Sequence, residues 1–239
     1  MTPRLPTVFI PALLCDDMLY QEVIAALGDV IEPHVMLSPQ ARLADSVTDI
    51  LARAPRTFAL VGTSYGANLA LAIALAAPER VSSLWLMGCD ASAPAAGGPD
   101  LAGGLDATPD ATIAFLAGLV VRPADHAARA AFNAMARRVG APAGAAQARA
   151  LASRDDIWSR LGELQMPTLI VSGDVDPIAP PACGQQLAEA MPHARFERMA
   201  QCGHLPTLEQ PARAAALFRA FLGADAPHAP PSGHAQARC

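Results

Sequence analysis

Three kinds of side chain that can do chemistry together occur in this chain in a fixed order, each just after a short apolar run. The first is Ser64, in Gly62-Thr63-Ser64-Tyr65-Gly66. This G-x-S-x-G spacing follows the strand-like residues 58–61 and precedes a helix-like stretch over residues 67–77. A serine at the tip of a sharp strand-to-helix turn has a strained backbone, and glycines two residues away on either side leave room where strand and helix pass closely. The turn lifts the hydroxyl clear of the strand, and the helix N-terminus behind it favours developing negative charge. The second is a carboxylate in Gly173-Asp174-Val175-Asp176-Pro177, directly after the run 167–172. The third is His204, in Gln201-Cys202-Gly203-His204-Leu205-Pro206, directly after the run 194–199. Such a set suits acyl transfer. The serine attacks a carbonyl, the imidazole takes its proton and returns it to the leaving group, and the carboxylate fixes the imidazole tautomer. The other histidines fit less well: His34 precedes the serine, His126 lies in a helical block, His193 opens a strand, and His228 and His234 lie in the tail.

The elements that must carry these residues read as alternating strands and helices. Residues 5–10 form a first apolar strand, followed by a loop at 11–17 and a helix over 18–27. A second strand over 30–37 is weakened by Pro33, and residues 46–54 are helical. The strand and helix around Ser64 come next, and a further strand spans 83–88. Residues 91–105 are rich in Ala, Gly and Pro and read as loop. Helical patterns without strands then cover 111–121, 124–139, 143–153 and 157–164. Alternation resumes with a strand at 167–172, a helix at 181–190, a strand at 194–199 and mostly helix over 206–222. Residues 224–239 lack periodicity and are expected to be disordered. The expected organisation is therefore an α/β core over 1–93, a helical insertion over 94–164, the rest of the core over 165–223, and the tail. Apolar strands alternating with helices imply a mostly parallel sheet with helices on both faces. Sites in such sheets lie beyond the C-terminal strand ends, where all three candidate loops fall.

Composition narrows the chemistry. The chain has 239 residues, a net charge of −5, 52% hydrophobic and 16% charged residues. That balance argues against nucleic acid or an anionic membrane as partner. All 17 basic residues are Arg and none is Lys, which excludes a lysine Schiff base and a Walker-type phosphate loop. The five cysteines are scattered without a C-x-x-C, so neither a disulfide framework nor a zinc site is expected. No signal peptide and no membrane-length apolar run is visible, so a cytoplasmic setting is expected. No metal or other cofactor is called for.

The order Ser, Asp, His on successive strand ends resembles the α/β-hydrolase superfamily. The likeness is carried by Val8-Phe9-Ile10-Pro11-Ala12-Leu13-Leu14-Cys15-Asp16, the Gly62–Gly66 elbow, the stretch from Pro167 to Asp176, and Gly203-His204-Leu205-Pro206-Thr207-Leu208-Glu209-Gln210-Pro211. It is strongest with small, lidded esterase-like members such as pimeloyl-carrier-protein methyl ester esterases and 3-oxoadipate enol-lactonases. The resemblance implies an α/β-hydrolase fold of about six strands with a helical cap. The hairpin that many relatives carry before the first strand has no counterpart here. It implies Ser64 as nucleophile, His204 as base and Asp176 as acid, by the family's G-x-x-D pattern, with Asp90 as the alternative acid. The oxyanion hole would be the backbone N–H groups of Tyr65 and Leu13. Relatives usually begin the latter loop with His-Gly, whereas this chain has Pro11-Ala12, and Ala takes up a glycine-only conformation at a cost. The activity implied is hydrolysis of a small to medium, largely uncharged carboxylic ester, without a cofactor. Lactone, C–C bond and perhydrolase chemistry use the same triad, and a non-catalytic ligand-binding protein on this fold is the alternative of another kind.

Overall fold

The computed structural model of the protein describes residues 3–223, so the tail expectation lies outside the described residues. Strand β1 (Leu5–Ile10) leads through a short 3-10 turn to α1 (Gln21–Leu27) and β2 (Ile31–Val35). Helix α2 (Leu43–Arg53) precedes β3 (Phe58–Thr63), α3 (Tyr65–Ala76) and β4 (Val81–Met87). Four helices follow without a strand: α4 (Leu101–Ala107), α5 (Pro109–Val120), α6 (His126–Val139) and α7 (Ala141–Ala152). The chain closes with β5 (Thr168–Gly173), α8 (Pro181–Ala190), β6 (Ala194–Met199), α9 (Pro206–Glu209) and α10 (Pro211–Gly223).

The strands form one six-stranded sheet in the order β2-β1-β3-β4-β5-β6, with every neighbouring pair parallel. Every residue of β3 and β5 is buried, as expected for central strands covered on both faces. By the right-handed rule for crossovers between parallel strands, this order puts α1 on one face and α2, α3 and α8 on the other. Helix α10 shares the face of α1, packing beside it and stacking Phe218 on Trp85 of β4 at 4.4 Å between ring centroids. Helix α3, apolar around its whole circumference, is buried along nearly its full length. Pro33 sits on the edge strand β2, where a missing N–H costs no central ladder bond.

The local differences from the sequence pattern have simple causes. Part of the Ala/Gly/Pro-rich stretch read as loop is helix α4, whose start is capped by Asp100 Oδ1 accepting from the Gly103 N–H at 2.8 Å. The helix expected at 157–164 is a 3-10 segment, Trp158–Glu163. The final helix is broken at Gln210, just before Pro211 opens α10. Cys15, Cys89 and Cys202 are buried free thiols.

Candidate active site

Ser64 occupies the turn between β3 and α3 with φ 56° and ψ −118°, a conformation that non-glycine residues rarely adopt. Its N–H donates to Met87 O at 2.8 Å, which ties the turn to the end of β4. The reason for Gly66 is a close approach: a Cβ there would overlap the carbonyl oxygen of Ile10 and lie 2.6 Å from that of Pro11. The first turn of α3 and the loop after β1 thus touch backbone to backbone. Beneath them the buried Tyr20 hydroxyl bridges Ile10 O at 2.9 Å and Thr63 Oγ1 at 2.8 Å, joining the ends of β1 and β3. Tyr65 is the first residue of α3, so its N–H is one of the donors a helix start leaves over. The Leu13 N–H likewise has no acceptor among the described residues.

The other two sequence candidates meet directly. His204 Nδ1 lies 2.7 Å from Asp176 Oδ2, and both side chains are 1% exposed. The Asp176 carboxylate is fixed from behind, because Oδ1 accepts from the N–H groups of Ile178 at 2.8 Å and Ala179 at 3.0 Å. Asp174 serves the same corner differently, its Oδ1 accepting from the Cys202 N–H at 3.2 Å. His204 Nε2 is buried and has no hydrogen-bond partner among the described residues. The imidazole rests on Gly88 (φ +59°), where a Cβ would stand 2.8 Å from His204 Cε1. Gly88 follows Met87, whose carbonyl holds Ser64, so Ser64 and His204 flank the same end of β4. Asp90 stands apart. It makes no ion pair with His204; its Oδ1 accepts from the Ser92 N–H at 3.0 Å. It lines a separate cavity of about 440 Å³ together with Asn68, Arg154 and Ile157.

Among the described residues, the non-glycine residues with positive φ are Leu14 in the loop after β1, Ser64 in the turn after β3 and Gln201 in the loop that carries His204; the Asp176 loop holds none. The positive φ of the first loop therefore falls on Leu14, two residues after Ala12. Backbone strain concentrated in this way is characteristic of functional sites. The neighbouring thiols are chemically quiet. Burial pushes the pKa of Cys89 and of Cys202 up to about 12 and drives that of Cys15 higher still. No cluster of three or more His, Cys, Asp or Glu among the described residues could hold a metal ion.

Two side chains at the site carry roles that spacing alone does not reveal. Glu209, fully buried, pairs with Arg122 Nε at 2.8 Å and accepts from the Gly203 N–H at 3.2 Å, so it braces the His204 loop against the helical insert. Gln147 of α7 is 2% exposed and accepts from the Leu14 N–H at 2.9 Å. Its signal in the sequence is a lone uncharged polar residue at helical spacing from Gly144 and Leu151 in an Ala-rich helix.

Comparison with known proteins agrees with this architecture. The chain is 30% identical over 185 residues to the 2-hydroxy-6-oxononadienedioate/2-hydroxy-6-oxononatrienedioate hydrolase of Cupriavidus pinatubonensis, a match covering 69% of this chain and 61% of that protein. It is 27% identical over 198 residues to the pimeloyl-[acyl-carrier protein] methyl ester esterase of Nitrosomonas europaea, covering 74% of this chain and 76% of that one. The chain thus spans less than two thirds of the first relative's length and about three quarters of the second's. The enol-lactonase structure from Burkholderia xenovorans LB400 superposes with a TM-score of 0.80 at 18% identity, covering 93% of this chain and 92% of that one. A model of the alpha/beta hydrolase family matches residues 14–217, most of the chain. The protein belongs to the alpha/beta hydrolase family.

Proposed function

We propose that the protein is a serine hydrolase that cleaves a small to medium, largely uncharged carboxylic ester through an acyl-enzyme on Ser64. The observation that carries this reading is the buried contact of His204 Nδ1 with Asp176 Oδ2 at 2.7 Å, which leaves Nε2 unpaired at the strand end that also holds Ser64. With Nδ1–H donated to the carboxylate, Nε2 is the basic nitrogen. It takes the Ser64 Oγ proton as Oγ attacks the ester carbonyl. The N–H groups of Leu13 and Tyr65 receive the negative charge that develops on the carbonyl oxygen. As the tetrahedral intermediate collapses, His204 hands its proton to the departing alcohol. A water, deprotonated by Nε2, then attacks the acyl-Ser64 carbon and releases the acid. The insert packs on the loop after β1 through Leu14, Leu105 and the bare backbone at Gly144.

Hydrolysis of p-nitrophenyl esters of increasing acyl length, with Ser64→Ala beside the wild type, tests the reading. Turnover by the wild type that falls by about 10⁴-fold or more in Ser64→Ala is expected. Comparable turnover by both proteins would overturn the assignment of Ser64. A second reading, C–C bond cleavage by the same residues, has support in the name of the Cupriavidus relative, a hydrolase of 2-hydroxy-6-oxo acids. Activity on such an acid, with none on any ester, would select it. Labelling of Ser64 by a fluorophosphonate without turnover of either substrate would point to a ligand-binding protein.

A further inference from the structure

The loop after β1 contains a turn that its own residues do not favour. The Cys15 N–H donates to Ala12 O at 3.0 Å, so residues 12–15 form a β-turn with Leu13 and Leu14 at its centre. Leu14, in the third position, has φ 61°. A positive φ there belongs to turns that favour Gly or Asn, and an ordinary L-residue prefers the alternative in which the central peptide is flipped and φ is negative. The two forms differ mainly in where the Leu13–Leu14 peptide points. In the observed form its N–H points at Gln147 Oε1, 2.9 Å away.

Gln147 is well placed to hold the observed form. It comes 133 residues later in the chain, on α7 of the insert, and is 2% exposed. The helix lies directly on the loop, since a Cβ on Gly144 would overlap the Leu14 side chain. The Leu14 N–H is buried in this turn, and without the Gln147 oxygen it would lack an acceptor, which is unfavourable. The observed form satisfies both groups.

We propose that Gln147 is a positioning residue for the oxyanion hole: by accepting from the Leu14 N–H it locks the Leu13–Leu14 peptide and so keeps in one form the turn that carries the Leu13 N–H. The inference rests on the reading above, in which the Leu13 N–H stabilises the oxyanion. It makes the insert a working part of the acyl-transfer machinery in addition to a cover over it. The interaction is needed most in the transition state, when charge reaches the carbonyl oxygen, so its loss belongs in kcat more than in KM.

The test combines Gln147→Leu, which removes the acceptor at similar volume, with Leu14→Gly, which makes positive φ intrinsically easy. Gln147→Leu is expected to lower kcat about ten-fold with KM within about two-fold, and to weaken a trifluoromethyl ketone, which forms an oxyanion on Ser64, by about the same factor. Adding Leu14→Gly is expected to restore kcat to within about three-fold of wild type, because the turn then holds its form unaided. A purely structural role for Gln147 would lower thermal stability without this paired loss and rescue. Unchanged kcat and inhibitor affinity in Gln147→Leu, or no rescue by Leu14→Gly, would overturn the proposal. Should Gln147→Leu not fold, amide exchange of Leu14 in the unaltered protein decides: protection is expected, and exchange at the rate of an open loop overturns the lock. A wild-type level of turnover in Ser64→Ala would instead remove the reading on which the proposal rests.

Discussion

Leu14, Ser64 and Gln201 each hold a backbone conformation that costs on the order of 1–3 kcal/mol, and each is held by a neighbour from elsewhere in the chain. Gln147 Oε1 takes the Leu14 N–H, Met87 O takes the Ser64 N–H, and Gln210 Nε2 donates to Gln201 O at 2.8 Å. Gly88 meets a different demand: it must have both positive φ and no side chain, because the His204 ring occupies the space a Cβ would fill. Gly88→Ala is therefore expected to leave the protein folded but to push the imidazole aside, lowering ester turnover by about a hundred-fold. Circular dichroism beside turnover checks this, and activity within about three-fold of wild type would show that the ring does not depend on that contact. The same environment silences the thiols. With a pKa of about 12, Cys89 and Cys202 carry a negligible thiolate fraction near neutral pH, so neither is a nucleophile there.

At the scale of elements, the helical insert is fastened to the core at several separate points. Besides Gln147, Arg138 Nε pairs with Asp16 Oδ2 at 2.7 Å, Ser153 Oγ accepts from the Leu43 N–H at 2.9 Å, and Arg122 reaches Glu209. The last is the most demanding, because the Glu209 side chain is fully buried while Arg122 is 27% exposed. Arg122→Met strips Glu209 of its counter-charge and leaves only main-chain donors around it. A loss of about 2 kcal/mol is expected, or about 4–8 °C in Tm for a domain of this size, and thermal unfolding reads it. An unchanged Tm would mean that the Gly203 and Leu205 N–H groups satisfy the carboxylate by themselves. Much of this layout is legible in the amino-acid sequence. Buried parallel strands such as Phe58–Thr63 and Thr168–Gly173 are continuous apolar runs, and the glycines around Ser64 announce a tight turn. What escapes is whatever depends on residues distant in sequence. Helix α4 hides in Ala, Gly and Pro that carry no periodicity, and the pairing of Gln147 with Leu14 spans 133 positions without any motif. The first loop shows the limit most sharply: Ala12 is where a glycine is missing from the family pattern, yet the positive φ falls on Leu14.

For the molecule as a whole, these fastenings predict that insert and core unfold together. The chain has two tryptophans, one in each part: Trp85 in β4, stacked on Phe218, and Trp158 after α7, whose Nε1–H donates to Ser92 Oγ at 2.9 Å. Urea unfolding followed by fluorescence in Trp85→Phe and Trp158→Phe is expected to superpose on a single transition once each variant's own stability is allowed for, with calorimetric and van't Hoff enthalpies equal. An early transition seen only through Trp158 would mark the insert as a separately melting lid. The edges of the finished sheet are guarded, by Pro33 and Glu32 on β2 and by Arg195, Glu197 and Arg198 on β6. The strand order has a further consequence while the chain is being made. Strands β1 to β4 are neighbours in the finished sheet, β2-β1-β3-β4, so they can assemble as soon as they leave the ribosome. The apolar β4 then stands as a bare edge while residues 88–167 are translated, because its partner β5 lies beyond the entire insert. The length of the insert thus sets how long the nascent chain must keep an open, sticky strand from pairing with the wrong neighbour.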